Sequence, residues 1–337
     1  PCPRPTPVEE FAPGLDFQHV LGQQAVKRAL EVAAAGGHNV LLAGPPGSGK
    51  SLMAKCFSTI LPPMREEERL EVIRVWSALG RGAEAARMPG RPFRAPHHTA
   101  SAPSLTGGGG ASRLPRPGEI SLAHRGVLFL DELPEFHADV LETLRQPMED
   151  GVVTISRVAG KVSYPARFQL LAAMNPCKCG WYGTSRCTCS SDAVKKYLRR
   201  LSGPLMDRID LQVAVQPVPY EALAARGKTQ EESSATIRAR VLAARARQQA
   251  RYEGTGIACN AELPVDRMAR DCVLTDAAQA MLEAAFHRLG MTARAYDRIL
   301  RVARTVADLA GAETIESEHL AEAIQYRQLD RLGLSGV

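Results

Sequence analysis

Val40-Leu-Leu-Ala43 followed by Gly44-Pro45-Pro46-Gly47-Ser48-Gly49-Lys50-Ser51-Leu52 decides how this chain is read. The first four residues are a continuous apolar run of strand length, and Lys50 to Ile60 has helical spacing, so the glycine-rich segment joins a strand to a helix. G-x-x-x-x-G-K-S in that setting is a phosphate loop. Its glycines let backbone N–H groups wrap phosphates, and the helix N-terminus adds the positive end of its dipole. Lys50 reaches the β- and γ-phosphates and the Ser51 hydroxyl ligates Mg²⁺, which makes ATP and Mg²⁺ the expected cofactors.

Such a loop needs a carboxylate to hold the Mg²⁺ shell, and Val127-Leu-Phe-Leu130-Asp131-Glu132 supplies one at the end of a buried strand. Asp131 is expected to organise the metal and Glu132 to polarise an attacking water, which favours hydrolysis over transfer to a substrate. A third apolar run, Phe168 to Met174, ends at Asn175-Pro176. Asparagine before proline is by itself a turn former; beside the first two motifs, Asn175 becomes a candidate for positioning the water or sensing the γ-phosphate.

Further short apolar runs at Arg69–Val75 and Leu211–Val215 alternate with helix-compatible segments such as Ala138–Met148, which predicts an α/β fold around a parallel sheet covered on both faces. Gln23 to Ala35 reads as a helix. Residues 89–126 are rich in Pro, Gly, Ser, Thr and His and read as a long loop or insertion, and 151–166 reads as a hairpin. Beyond Pro217 the pattern is helical, in stretches over 231–251, 265–270, 275–289, 293–309 and 317–329. The expected organisation is an extended lead-in (1–16), an α/β ATPase domain (17–216), a helical linker (217–262) and a helical lid (263–337).

The chain's 337 residues, 45% hydrophobic and 23% charged, suit a soluble globular protein. No run approaches the roughly 18 apolar residues of a membrane span and no tripartite signal opens the sequence, so a cytoplasmic protein is expected. Opening on Pro1 rather than Met, it reads as a piece of a longer polypeptide. The net charge of +6 permits an anionic partner such as nucleic acid. Of eight cysteines, four crowd into Cys177-Lys-Cys179 and Cys187-Thr-Cys189. Two converging C-x-C pairs suit a tetrahedral, structural Zn²⁺; a redox pair or four unliganded thiols are the alternatives.

The order of these motifs resembles the AAA+ ATPases, and more closely the magnesium-chelatase-like ComM (YifB) family. The resemblance runs from about Phe17 to Asp330 and is carried by Pro92-Phe-Arg-Ala-Pro-His97-His98-Thr, Pro117-Gly-Glu-Ile-Ser-Leu-Ala-His124-Arg-Gly, Leu130-Asp-Glu-Leu-Pro-Glu-Phe, Asn175-Pro-Cys-Lys-Cys-Gly and Ser202-Gly-Pro-Leu-Met-Asp-Arg-Ile-Asp-Leu. It implies a five-stranded parallel sheet with an insertion in helix 2, a hairpin before sensor 1 and an all-helical lid. It makes Asn175 the sensor-1 residue, Arg208 the arginine finger offered to a neighbouring subunit, and Arg294 the sensor-2 arginine. A ring, probably-sized as a hexamer in the family, and ATP-driven DNA work (helicase and branch migration during natural transformation) are also implied. Family members carry a Lon-protease-like domain ahead of this core.

For DNA, the hairpin offers Arg157 and Lys161, and the insertion offers Arg91, Arg94, His97, His98 and Arg113, which by resemblance face a central pore. A solvated hairpin and a satisfied histidine pair are the plain alternatives. The Arg-rich stretch Arg238–Arg251 is read either as another contact or as a solvated or inter-subunit face. Two other functions share every ATPase motif: the motor subunit of a metal chelatase, and a protein-remodelling ATPase. The cysteine cluster and the His97-His98 string favour the DNA motor, and the hairpin tip, Val158-Ala-Gly-Lys161, lacks the aromatic residue a protein-remodelling pore would use.

Overall fold

A computed structural model of the chain describes residues 15–109, 115–157, 160–218, 220, 224 and 231–327. Nine strands are present among them: β1 (Val40–Ala43), β2 (Phe93–Arg94), β3 (Gly107–Gly108), β4 (Arg116–Pro117), β5 (Val127–Leu130), β6 (Val152–Arg157), β7 (Gly160–Pro165), β8 (Gln169–Met174) and β9 (Leu211–Ala214). Five form a parallel sheet in the order β2-β5-β8-β1-β9, the α/β architecture that the apolar runs predict. Every residue of β1 and β5 is buried, which is why both read as unbroken apolar runs rather than alternating ones. No helix among the described residues is long and apolar enough to cross a membrane.

The chain divides into two compact units, one holding Leu15 and Pro63–Arg208, the other Asp16–Pro62 and the chain from Ile209 onward. In the first, β5 pairs in parallel with β2 and with β8, with Leu128 opposite both Arg94 and Leu170. The insertion contributes β2, a short helix at Ala102–Thr106 and the β3–β4 ribbon. The hairpin predicted over 151–166 is β6–β7, in register from Val152↔Pro165 to Arg157↔Gly160. Its tip residues Val158 and Ala159, like Arg113 and the lead-in through Gly14, lie outside the described residues.

The stretch Arg69–Val75, read from the sequence as a strand, is instead part of a helix, Glu66–Ser77. The Arg65 N–H donates to Glu68 Oε2 at 2.9 Å, and Glu66, Glu67 and Glu68 fill the first turn, where the helix dipole favours them. Val72, Val75 and Trp76 then fall on one buried face at helical spacing, packed with Ala85 and Leu122. An apolar run interrupted by Glu and Arg is amphipathic at a period near 3.6, and that period decided the outcome.

In the second unit, β1 pairs in parallel with β9, Val40 opposite Leu211 through Ala43 opposite Ala214. Helices Gln24–Gly36, Lys50–Ile60, Ser234–Arg251, Asp276–Leu289, Ala293–Ala310 and Ser317–Gln325 surround it, and beyond β9 the described structure is helical. Buried charge joins several of these helices. Asp308, fully buried, accepts from Arg251, from Arg304 at 3.1 Å and from Asn260 at 2.8 Å, so its desolvation is offset by paired donors. The Arg-rich helix spends its charge on this unit itself. Arg240 pairs with Glu31 and Glu232, Arg245 donates to the Ala34 and Ala258 carbonyls, and Arg247 to the Asp308 carbonyl. Those side chains hold helices together and are not a free DNA-contact row.

Candidate functional site

The phosphate loop leaves β1 and enters Lys50–Ile60 through Gly47 at φ 75° and Gly49 at φ 88°, left-handed conformations that favour glycine. Gly44 is constrained differently: a Cβ there would lie 2.4 Å from the Val215 carbonyl oxygen. Gly49 is the N-cap and no side chain caps the helix, so the first-turn N–H groups face the loop's hollow, as phosphate binding requires. Pro45 and Pro46 stiffen the approach, and Ser48 Oγ donates to the Pro45 carbonyl at 2.8 Å. Lys50, 8% exposed, donates to the Gly44 and Pro45 carbonyls at 2.8 Å each, which holds its ammonium over the loop. Ser51 and Leu52 are exposed on the first turn. A nucleoside triphosphate with Mg²⁺ fits this donor set: backbone N–H groups, one ammonium and one hydroxyl.

The same unit carries Arg294, exposed in the first turn of Ala293–Ala310 behind the Thr292 cap. A cation at that end opposes the helix dipole, at a cost of about 0.3–1 kcal/mol, so local stability does not explain its placement. Arg298, one turn on, lies 3.8 Å from Asp210. Burial pushes the Asp210 carboxyl up, but His38, Arg298 and the Asn39 N–H more than offset this and leave it below the usual carboxylate range.

In the first unit β5 delivers Asp131, half-buried, and Glu132, whose side chain is 51% exposed. Asp131 Oδ1 accepts the Glu132 N–H at 2.9 Å. Glu132 has φ 54°, a left-handed backbone uncommon outside glycine, and this strain turns its side chain out of the strand's line. Its Oε2 lies 3.0 Å from Nδ1 of His98, and the His98 ring packs against His97 at 4.1 Å between centroids. His98, which the sequence offered as a DNA contact, thus meets Glu132, a pairing across 34 residues with no local signature. His97 is exposed, with Nδ1 2.9 Å from the Thr99 hydroxyl.

Asn175 follows β8 directly and is half-buried. Arg208, expected as a finger for a neighbour, is 9% exposed; it donates to the Pro204 carbonyl at 2.6 Å and pairs with Glu149. Glu149 escaped the sequence reading because nothing local marks an acid 59 positions away as a partner. Arg91 and Arg94 are engaged internally. Arg91 donates to Glu68 and to the Pro63 and Arg125 carbonyls, and Arg94 grips Glu119 in a two-bond fork at 2.6 and 2.8 Å. On the hairpin, Lys161 is exposed on β7 and Arg157 ends β6.

The four clustered cysteines converge. Cys177 Sγ lies 3.3 Å from Cys179 Sγ and 3.9 Å from Cys187 Sγ, Cys179 and Cys187 are 3.7 Å apart, and all four sulfurs fall within 4.8 Å of one another. Backbone N–H groups of Trp181 and Thr188 point at Cys179 and hold its thiol down to about 6. The arrangement can hold a metal ion, and its nearest ligand is two residues from Asn175.

Phosphate loop, acidic strand end, parallel sheet and helical C-terminal region define an AAA+-type fold of the magnesium-chelatase kind. A family model described as magnesium chelatase, subunit ChlI, matches residues 16–223, and one described as magnesium chelatase, subunit ChlI C-terminal, matches residues 231–327. Competence protein ComM of Haemophilus influenzae is 47% identical over 318 residues, covering 94% of this chain and 61% of its own length. YifB of Salmonella typhimurium is 46% identical over 317 residues, with the same coverage of both chains. YifB of Escherichia coli K12 is 44% identical over 330 residues, covering 98% of this chain and 64% of its own. The chain belongs to the ComM/YifB family of magnesium-chelatase-like AAA+ proteins, and spans about three fifths of the length of these relatives.

Proposed function

We propose that this chain is the ATPase core of a cytoplasmic, ring-forming DNA motor that performs helicase or branch-migration work on recombining strands. The observation that carries the ATPase part is the loop itself: left-handed Gly47 and Gly49, an uncapped helix N-terminus and Lys50 folded over the hollow. The competence role in the name of the Haemophilus influenzae relative supports DNA as the polymer.

In this reading Gly44 to Leu52 bind the phosphates, and Ser51 and Asp131 hold Mg²⁺, which when bound neutralises charge on the phosphates. Glu132 takes a proton from the attacking water, Asn175 orients that water, and Arg294 and a neighbour's Arg208 stabilise charge developing on the γ-phosphate. The domain division stays as expected: lead-in 1–16, ATPase domain 17–216, helical linker 217–262 and lid 263–337. His97, Lys161 and Arg157 touch the DNA backbone, and His98 shares that segment.

The cysteine cluster holds structural zinc in this proposal. A tetrahedron with Zn–S bonds of about 2.3 Å puts sulfurs about 3.8 Å apart, and the separations of 3.3, 3.9 and 3.7 Å bracket that value. Four thiolates leave no open position, so the ion fixes the loop after Asn175 and does no chemistry.

The family description favours a second reading, the motor subunit of a metal chelatase. Steady-state ATPase rate with and without single-stranded and forked DNA, read with oligomer mass at the same protein concentration, separates the two. DNA stimulation in a ring-sized particle supports the DNA motor. Turnover indifferent to DNA in an assembled ring supports the chelatase-type reading.

A further inference from the structure

Residues 176–200 hold Lys178, Arg186, Lys195, Lys196, Arg199 and Arg200 against a single acid, Asp192. This stretch has a net charge of +5, in a chain whose total is +6. Lys178, Arg186, Lys195, Lys196 and Arg199 are exposed, and no ion pair is formed by any of them among the described residues; Arg200 pairs with Glu135.

The cysteines gather this charge onto one small element. With all four sulfurs within 4.8 Å, both ends of the loop 177–189 start from one point, and the helix Ser191–Leu198 leaves that point behind its Ser190 cap. The helix buries Val194, Tyr197 and Leu198 and leaves Lys195 and Lys196 outward. Within the loop Gly180 and Gly183, at φ 86° and 84°, turn the chain around Trp181 and Tyr182. Tyr182 is 46% exposed, and the Arg186 guanidinium sits 4.8 Å from the Trp181 ring centroid.

Cations around exposed aromatic faces, with no acid from 176 to 191, match what unpaired nucleic acid needs: phosphate contacts plus flat surfaces on which bases stack. A protein-docking face would instead be depleted of charge at its centre. We propose that the cysteine-bound loop and the helix after it form a single-stranded nucleic-acid-binding surface. Trp181 and Tyr182 are its stacking platform, and Lys178, Arg186, Lys195 and Lys196 its phosphate contacts. This rests on the DNA-motor reading and adds a grip distinct from the β6–β7 hairpin.

The chain has two tryptophans, and Trp76 is 2% exposed with its indole N–H bonded to the Leu122 carbonyl, so quenching of tryptophan emission by a bound strand reports Trp181. The test is titration of the metal-containing chain with poly(dT), following emission and, separately, fluorescence anisotropy of labelled strand across a salt series. Quenching on binding is expected, lost in Trp181→Phe. Tyr182→Ala is expected to weaken binding about tenfold. Lys178→Ala with Arg186→Ala is expected to lower the slope of log K against log salt by about 1.4. Binding without quenching, and with an unchanged slope in the double variant, overturns the surface while leaving the DNA reading intact. A wild-type chain that does not bind poly(dT) overturns both. Charge reversal at Lys195 and Lys196 that spares DNA affinity but dissolves the oligomer reassigns the face to subunit contact and overturns the proposal.

Discussion

His124 is 2% exposed, two residues ahead of the buried Gly126–Leu130 run. Its Nδ1 accepts the Arg167 N–H at 3.1 Å, which leaves the proton on Nε2, 3.0 Å from Glu71. Burial disfavours the charged ring, Glu71 recovers only part of that loss, and the imidazole is held down to about 4 from its ordinary 6.5. Between those values the unfolded chain binds a proton that the folded chain does not. The stabilisation is therefore complete above pH 6.5 and is lost as pH falls toward 4. At 1.36 kcal/mol per unit, moving from about pH 7.5 to about pH 5 removes about 2 kcal/mol. His124→Gln, which can still donate to Glu71 and accept from Arg167, is expected to abolish that loss. Urea unfolding at both pH values, followed by tryptophan emission, measures it, because Trp76 packs against Leu122 in the same cluster. If wild type and His124→Gln lose equal stability over this range, the buried neutral imidazole is wrong.

Lys50→Ala is expected to lose nucleotide binding, whereas Glu132→Gln should keep binding and lose about 10²–10⁴-fold in turnover, checked by nucleotide titration and steady-state ATPase. His98→Ala, which removes the partner 3.0 Å from Glu132, should lower kcat by about tenfold to a hundredfold at unchanged KM, and a KM effect alone would refute a positioning role. Arg208→Ala should cut turnover about 10³-fold or more, and only at concentrations where rings form; Glu149→Gln, which loosens the hold on Arg208 within its own chain, should leave nucleotide affinity unchanged. Metal analysis should find about one zinc per chain, lost when Cys177 and Cys187 are replaced by Ser, with the loop around Asn175 becoming protease-sensitive.

The phosphate loop and the Asp131–Glu132 strand end were legible because their chemistry is written contiguously: backbone turns, one lysine and one hydroxyl must follow each other in order. The sheet was legible because β1, β5 and β8 are apolar on both faces. Arg69–Val75 misled because seven residues rich in Leu, Val and Ile look alike at either period until Trp76 and the Glu66–Glu68 first turn are counted. What the sequence hid is pairing at long range. The string around His124 looked functional, yet His124 and Arg125 meet Glu71, more than 50 positions away, and hold the start of β5. Arg91 and Arg94 looked like DNA cations until Glu68 and Glu119 were found to hold them. Charge in a sequence shows supply, and only the fold shows which charges are already taken.

Strand separation on a forked DNA is the most direct test of the motor. The account predicts ATP- and Mg²⁺-dependent displacement of one strand by the wild-type chain in its assembled form, and none by Glu132→Gln although that variant binds both nucleotide and DNA. ATP hydrolysis by an assembled ring that neither responds to DNA nor separates its strands would contradict it.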